Sequence, residues 1–292
     1  MRIDTVLLLY NRPDHAHQVL QSLIDNGVKN LTAYLDFNDR PDVRKNQGEI
    51  ERIINSYSKD EIDIEFIKRT RSFGLAKSVR ESLNERFADG ADAVILLEDD
   101  CVIAPGGFKF FTEGLNELQN NKRIRSLCGF THPGCRFIFD PEADLLLLSR
   151  FSTWGWATWK DRWEQYESDL RKLAGFADTI KVNIADFSQD IATLCASEKY
   201  LNGEVDIWSL NWILLHYLTS TFAVYPIESV ITNIGLDGSG KNCEATDVFN
   251  GDLNNLHPES YRWDKLHYFP ENEEIVKSFM EEHGLKTYPS PE

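Results

Sequence analysis

The chain has 292 residues, 42% of them hydrophobic and 27% charged, and so is long enough to bury a core without disulfide staples. Its net charge of −16 disfavours binding to nucleic acid and broad adsorption to an anionic membrane. The five cysteines are odd in number and lack Cys-x-x-Cys spacing, which argues against a disulfide framework or a structural zinc site.

Strand-like and helix-like patterns alternate along the first hundred residues. Strands are predicted at 3–10, 31–37, 62–69 and 93–98. Helices are predicted after Pro13, over 43–57, and from about 73 to 87, with Ser72 as a candidate cap. This alternation predicts an α/β fold with right-handed crossovers and a mostly parallel central sheet flanked by helices.

Polar residues follow each of these four strands. They are Tyr10-Asn11-Arg12, Asp36, the run from Arg69 to Gly74, and Glu98-Asp99-Asp100. Ligands of parallel sheets bind beyond the carboxyl ends of the strands, so we expect these residues to share one edge.

The pattern changes after about residue 105. A helix is predicted over 106–119, strands over 125–130 and 144–151, helices near 186–199 and 206–219, and a strand pair within 223–243 that runs into a glycine-rich loop. The apolar stretch 207–226 is interrupted by Asn211 and His216, which favours a core helix and a strand over a membrane span. The N-terminal stretch lacks the apolar region of a signal peptide, so we expect a cytoplasmic setting, with peripheral contact at the inner membrane left open.

The three adjacent carboxylates 98–100 repel one another, at roughly 2–4 kcal/mol for each close pair in an effective dielectric of about 20. A divalent cation would turn that repulsion into binding, and hard oxygen ligands suit Mg²⁺ or Mn²⁺. The alternative is a solvated acidic turn.

The segment 96–111, "LLEDDCVIAPGGFKFF", resembles the metal-site segment of glycosyltransferases with the GT-A fold, in the EDD form of the Golgi N-acetylglucosaminyltransferase I family. "LLLYNRPDH" is similar to the first-strand motif that cradles the nucleobase, and "RTRSFGLAKSVRESL" to a family-2 loop and helix start beside the nucleotide. "STWGWATW", "GEVDIWSLNWIL" and "PIESVITNIGLDGSGKN" resemble acceptor-side segments in the same order. The resemblance implies one GT-A catalytic domain, in which a nucleotide-sugar-binding half (1–104) is merged with an acceptor-binding and catalytic half (105–292).

The resemblance also implies roles for the residues at the strand ends. Asp100 would be the direct ligand of Mn²⁺ or Mg²⁺, Asp99 would hold the ribose or a metal-bound water, and Glu98 would orient its neighbours. The remaining candidates for nucleotide binding are Tyr10, Asn11, Arg12, Asp36, Arg71, Gly74 and Lys77. For Arg12, Arg71 and Lys77 the alternative is a role as an ordinary surface cation, which is slightly favoured for Arg71 and equal in weight for Lys77.

Asp206 is the predicted general base, and its alternative is the N-cap of the following helix. The Golgi family has two adjacent aspartates before its tryptophan, whereas this chain reads Glu204-Val205-Asp206-Ile207-Trp208, so Glu204 is the reserve candidate.

Candidate acceptor or sugar contacts are Trp154, Gly155, Trp156, Trp208 and Lys241. Trp154 is the favoured ring, because the spacing of Trp156 and Trp159 is also that of a core stripe. Lys241 lies in a glycine-rich loop that could reach the diphosphate or be a plain turn.

The leading hypothesis is a metal-dependent, inverting transferase that moves a sugar from a nucleotide-sugar, in particular a UDP-sugar, to a hydroxyl of a glycan or lipid-linked acceptor. Surface polysaccharide synthesis is the setting that the resemblance implies. Two alternatives are a sugar-phosphate nucleotidyltransferase, whose usual glycine-rich basic loop "YNRPDH" does not match, and a non-catalytic nucleotide-sugar-binding protein.

Overall fold

The computed structural model describes residues 1–131, 143–184, 189–202, 204, 206–239, 245–246, 249, 258–270, 274 and 278. Within these ranges the strands are β1 (Ile3–Leu9), β2 (Asn30–Leu35), β3 (Asp63–Lys68), β4 (Ala93–Glu98), β5 (Cys101–Ile103), β6 (Ile124–Cys128), β7 (Leu145–Leu148), β8 (Trp156–Trp159), β9 (Phe222–Pro226) and β10 (Ile231–Asn233). The helices are α1 (Pro13–Asp25), α2 (Pro41–Ser56), α3 (Gly74–Ala88), α4 (Phe108–Glu117), α5 (Lys160–Trp163), α6 (Leu170–Ile180), α7 (Gln189–Ala196), α8 (Glu198–Leu201) and α9 (Trp208–Leu218).

Eight of these strands form one sheet in the order β3-β2-β1-β4-β8-β6-β9-β7. The first four pair in parallel, so their carboxyl ends lie at the same edge. Strand β8 comes from later in the chain and pairs antiparallel with both β4 and β6, which joins the two groups of strands. The predicted α/β architecture with a mostly parallel central sheet flanked by helices is confirmed.

Helices cover both faces of the sheet, and β4 shows why its residues are apolar without interruption. Val94 and Leu96 belong to the core on the face of α3 and α9, whereas Ile95 and Leu97 belong to the core on the face of α1, α2 and α4. A strand that is buried on both faces has no polar side to present. The first polar side chains therefore come where the strand ends, at Glu98.

The predicted Ser72 cap of α3 is wrong. The helix begins at Gly74, and Phe73, at the N-cap position, makes no capping hydrogen bond with its side chain. The carboxylate of Asp36, at the end of β2, accepts hydrogen bonds from the backbone N–H groups of Phe73 (2.8 Å) and Gly74 (2.9 Å) instead. A carboxylate near a helix N-terminus satisfies unpaired N–H groups and complements the helix dipole, which is why a distant residue can replace a local cap.

The predicted strand pair within 223–243 forms two strands that do not pair with each other. Strand β9 lies between β6 and β7, while β10 pairs antiparallel with β5, which directly follows the carboxylates. The backbone N–H groups of Val230 and Ile231 donate to Gly129 O, so the chain leaves the large sheet between β9 and β10.

Strand β8 and helix α6 have no counterpart in the predicted elements. No helix in the described ranges is long and apolar enough to cross a lipid bilayer.

Candidate functional site

Two aspartates and one arginine form the centre of the site at the carboxyl ends of β1 and β4. Arg12 Nη2 contacts Asp99 Oδ1 and lies 2.7 Å from Asp100 Oδ2, and Arg12 Nε donates to Asp99 Oδ1 at 3.1 Å. The side chains are mostly buried, with 18%, 5% and 12% of Arg12, Asp99 and Asp100 exposed. Burial alone would lower the pKa of Arg12, but attraction to the two carboxylates raises it, so the guanidinium stays charged.

Two members of the carboxylate triplet, Glu98 and Asp99, have raised pKa values, and in both burial is the largest cause. Burial, together with the charges of Asp100 and Asp99, raises the pKa of Glu98 to about 8. At neutral pH this carboxyl holds a proton for much of the time.

A loop after β10 covers the two aspartates. The backbone N–H of Ile234 donates to Asp100 O at 2.9 Å, and His15 Nε2 lies 3.2 Å from Ile234 O and 3.3 Å from Asp237 Oδ2. A Cβ atom on Gly235 would overlap both the carboxylate of Asp100 and the guanidinium of Arg12. Only glycine allows Asp100 and Arg12 to pack this closely against the loop.

Asp36, Tyr10 and Asn11 are held by backbone contacts. Besides the N–H groups of Phe73 and Gly74, the carboxylate of Asp36 accepts from the N–H of Phe37 at 2.9 Å. The carbonyl groups of Tyr10 and Asn11 accept hydrogen bonds from side chains of α2. These contacts fix the backbone of the strand ends. The predicted nucleoside contacts of Asp36, Tyr10 and Asn11 stay predictions.

Three cations surround the ring of Phe73 at the end of β3. Lys77 Nζ lies 4.6 Å from the ring centroid, and the guanidinium carbons of Arg69 and Arg71 lie at 4.8 and 5.6 Å. Arg69 also forms a bidentate ion pair with Glu85. Among the described residues, the ion pairs at this edge do not include Arg71 or Lys77, whose charges remain available to an anion. We call the residues Arg12, Asp36, Arg71, Lys77, Asp99 and Asp100 the strand-end edge.

The predicted base lies beside α3. Asp206 is about half exposed and accepts a bidentate pair of hydrogen bonds from Arg80 at 2.8 and 2.6 Å. The alternative role of Asp206 as a helix N-cap is wrong, because α9 begins at Trp208 with Ile207 at the cap position and no side-chain cap. Glu204 is exposed, and its backbone N–H donates to Lys199 O at 2.9 Å.

The predicted sugar contacts divide by burial. Trp154 is half buried, with its ring 4.5 Å from that of Phe130. Gly155 has a positive φ of 62°, and a Cβ there would overlap the side chain of Ile231. Trp156 and Trp208 are buried and stacked on each other at 5.2 Å, which favours packing over sugar contact. Lys241 lies outside the described residues.

Trp156 and Trp208 belong to a larger aromatic group that includes Trp163 and Trp212. We call these four residues the tryptophan layer. The rings of Trp163 and Trp212 lie 5.2 Å apart, and Trp212 Nε1 donates to Ser126 Oγ at 2.9 Å.

Asp99 and Asp100 offer carboxylate oxygens of the kind that bind a divalent ion. Their two oxygens converge on one atom, Arg12 Nη2, and Mg²⁺ is usually bound by one or two carboxylates together with substrate phosphates. No set of three or more His, Cys, Asp or Glu residues in the described ranges is arranged to hold a metal ion. The pair therefore fits an ion that shares its ligands with a bound diphosphate, once Arg12 has moved.

Four residues that contribute to this region were not predicted from the sequence: His15, Phe73, Arg80 and Gly235. His15 and Phe73 lie inside quoted motifs, but nothing in their spacing distinguishes them. Gly235 precedes the glycine-rich loop and could have been noticed as a position that demands close backbone approach. Arg80 carries no signal, because its partner is 126 residues away.

The fold and this edge define a class: an α/β protein with charged residues at the carboxyl ends of parallel strands, the place where ligands of such sheets usually bind. No protein-family model and no curated protein sequence matches the chain. One similar solved structure is S. aureus TarS, with 14% identity and a TM-score of 0.35, over 45% of this chain and only 22% of the TarS chain. Another is the mannosyltransferase PcManGT from Pyrobaculum calidifontis, in complex with GDP-Man and Mn²⁺, with 9% identity and a TM-score of 0.44 over 74% of this chain and 69% of that one. A third is a UDP-glucose pyrophosphorylase complexed with UDP-glucose, with 7% identity and a TM-score of 0.40 over 77% and 90% of the two chains. The TM-scores are low, so the activity has to be inferred from the site itself.

Proposed function

We propose that the chain is a GT-A glycosyltransferase that moves a sugar from a nucleotide-sugar to a hydroxyl group of a glycan or lipid-linked acceptor. The observation that carries the proposal is the convergence of Asp99 and Asp100 on one cation position at the carboxyl ends of parallel strands. A pair of carboxylates at that place is suited to a divalent ion and a diphosphate. The donor in this proposal is a UDP-sugar, and the setting is surface polysaccharide synthesis.

The positive charges of the strand-end edge support a diphosphate ligand. The protein as a whole carries a charge of −16, which repels anions. Arg71 and Lys77 are nevertheless grouped around one ring, beside the carboxylate of Asp36 that accepts from Phe73. We assign these two cations to the phosphates, and the ends of β1 and β2, with Tyr10, Asn11 and Asp36, to the nucleoside.

The residues that would hold Mn²⁺ or Mg²⁺ are Asp99 and Asp100. The ion, when bound, would neutralise the charge that develops on the departing nucleoside diphosphate. Arg12, Arg71 and Lys77 add positive charge at the same end of the sheet.

Asp206 is the proposed general base. Its carboxylate would take the proton of the acceptor hydroxyl as the oxygen attacks the anomeric carbon. The new C–O bond forms while the bond to the diphosphate breaks, which inverts the configuration in a single displacement. Arg80 would position the carboxylate through its two hydrogen bonds. Trp154, half exposed, is the aromatic ring assigned to a sugar face.

Calorimetry with UDP, first with Mn²⁺ and then with a chelator, tests the donor site. We expect UDP to bind in the presence of Mn²⁺ and to bind at least about tenfold more weakly without it, since the ion would bridge protein and phosphates. GDP serves as the comparison for the base. Binding of a nucleoside triphosphate together with a sugar phosphate would favour a nucleotidyltransferase, and failure to bind any nucleoside diphosphate would overturn the proposal.

Hydrolysis of the donor by water tests the catalytic assignment. We expect Asp206→Asn to reduce the rate by about 10²-fold or more, as the loss of a general base does. Glu204→Gln is the matched control, because it removes one neighbouring charge that makes no contact with Arg80. A larger loss in Glu204→Gln would move the base to Glu204. Equal rates in both variants and the wild type would show that neither carboxylate is the base, and no hydrolysis by the wild type would leave a protein that binds without turnover.

A further inference from the structure

Arg12 occupies the place between Asp99 and Asp100 that a divalent ion would need. A single nitrogen, Nη2, contacts one oxygen of each carboxylate. The second oxygens point elsewhere, since Asp99 Oδ2 faces the backbone N–H of Tyr10 at 3.4 Å and Asp100 Oδ1 faces Cys101 Sγ at 3.6 Å. The two oxygens available to a cation are therefore the two that Arg12 already contacts.

A guanidinium nitrogen and a metal ion cannot share that point. Mg²⁺ needs its oxygen ligands at about 2.1 Å and other divalent ions at up to about 2.6 Å, which is closer than a hydrogen bond allows. Arg12 and Asp100 pack directly against Gly235, where a Cβ atom would overlap both side chains. Movement of the Arg12 side chain alone would free both oxygens. The backbone beside Arg12 need not move, because Pro13, which follows it, fixes the first turn of α1.

We propose that Arg12 is an internal counter-ion that competes with the divalent ion for Asp99 and Asp100. It holds the cation position while no donor is bound, and the ion displaces it when ion and nucleotide diphosphate arrive together. The released guanidinium then finds its new partner in the phosphates. This inference rests on the proposed function for the identity of the diphosphate, but the competition itself concerns only the ion and Arg12.

The consequence is an order of binding. The ion alone must break a mostly buried set of hydrogen bonds without supplying Arg12 with a new partner, and it therefore binds weakly. Bound diphosphate supplies that partner, so the ion and the nucleotide each strengthen the binding of the other, as linkage requires.

A titration with Mn²⁺ alone tests the competition, with the free ion followed by its electron paramagnetic resonance signal. We expect Arg12→Gln to bind Mn²⁺ about tenfold or more tightly than the wild type, because the competing charge is gone. Arg40→Gln is the control, since it removes the same charge from an exposed pair with Asp42. Arg12→Lys, which keeps the charge but lacks the forked head, should give an intermediate affinity.

Thermal unfolding gives a second measurement that needs no activity. We expect saturating Mn²⁺ to raise the unfolding temperature of Arg12→Gln and to leave that of the wild type and of Arg40→Gln nearly unchanged. If Arg12→Gln does not fold, Arg12→Lys against the wild type decides the matter by the same titration. Equal Mn²⁺ affinity in the wild type and the Arg12 variant that folds would overturn the proposal. Tight Mn²⁺ binding by Arg12→Gln, together with no binding of UDP by the wild type in Mn²⁺, would retain the competition and refute the donor assignment.

Discussion

The strand-end edge and the tryptophan layer are both built from residues far apart in the chain. They differ in the exposure of their side chains and in the kind of contact that holds them. At the edge, Arg12 pairs with both Asp99 and Asp100, and 18% of Arg12 remains exposed. In the layer, Trp156 and Trp212 have no exposed surface, and Trp212 donates its N–H to Ser126. The edge thus has partners that a ligand could exchange, whereas the layer has contacts that only unfolding removes.

This difference predicts that substitutions in the two regions change different quantities. The layer should control the free energy of unfolding, because loss of buried aromatic volume leaves a cavity. The edge should control affinity for ions and nucleotides with less effect on stability, because Arg12, Asp36 and Asp99 each retain a hydrogen-bond partner after one is removed.

The largest effect on stability is expected for Trp212→Ala. Truncation of this fully buried ring should lower the free energy of unfolding by about 3–5 kcal/mol. Urea unfolding followed by circular dichroism measures it. Trp154→Ala, at a half-buried ring, is the matched control and should cost clearly less. Similar losses in the two variants would remove the distinction between the layer and the half-buried ring near the edge.

Asp100→Asn tests the edge by urea unfolding and by calorimetry with UDP. We expect the free energy of unfolding to change by no more than about 1 kcal/mol, because Arg12 keeps its contacts with Asp99. The affinity for UDP in Mn²⁺ should fall at least about tenfold, since one of two oxygen ligands becomes an amide. Asp178→Asn, on the exposed side of α6, controls for the change in charge. Unchanged UDP affinity in Asp100→Asn would show that the edge is not the donor site.

A further effect concerns the pH dependence of stability and His216, which is buried beside the tryptophan layer. Burial, and then the charge of Arg125, lowers the pKa of His216 well below its ordinary value of 6.5. The folded protein therefore keeps this ring neutral where the unfolded chain binds a proton. The stabilisation is present above pH 6.5 and is lost as the pH falls below it.

His216→Gln isolates this contribution. Between about pH 7 and pH 5 the wild type should lose about 1–2 kcal/mol more stability than the variant does. Urea unfolding at both pH values measures the difference, and carboxylates that titrate in both proteins cancel. Parallel pH profiles would show that His216 is protonated in the fold as readily as in the unfolded chain.

The edge could be predicted from the sequence because a local pattern has a global consequence. Four apolar runs separated by helices require crossovers, crossovers make the strands parallel, and parallel strands end together. The place of Asp36 beside the start of α3 follows from that rule. Its use of the N–H groups of Phe73 and Gly74 does not, because a local serine offered the same cap.

The tryptophan layer resisted prediction because its spacing is ambiguous. Trp156, Trp159 and Trp163 are separated by three and four residues, as on a helix, but the first two belong to strand β8 and the third to the short helix α5. The pairing of β8 with both β4 and β6 is decided by the sheet and not by the segment. Arg12 was expected at the edge, but its bridge between two carboxylates depends on side-chain positions that no periodicity encodes.

The short ribbon of β5 and β10 ties the two sides of the site together. Cys101, which directly follows Asp100, is paired with Asn233, which directly precedes the Ile234-Gly235 corner. One rung further, Ile234 donates to Asp100 O. Movement of the loop at Gly235 away from Asp100 would break the pairing of β10 with β5. A ligand that displaces Gly235 would therefore also move the backbone that carries Asp100. The loop at Gly235 and the segment that carries the aspartates are thus coupled through one two-stranded ribbon.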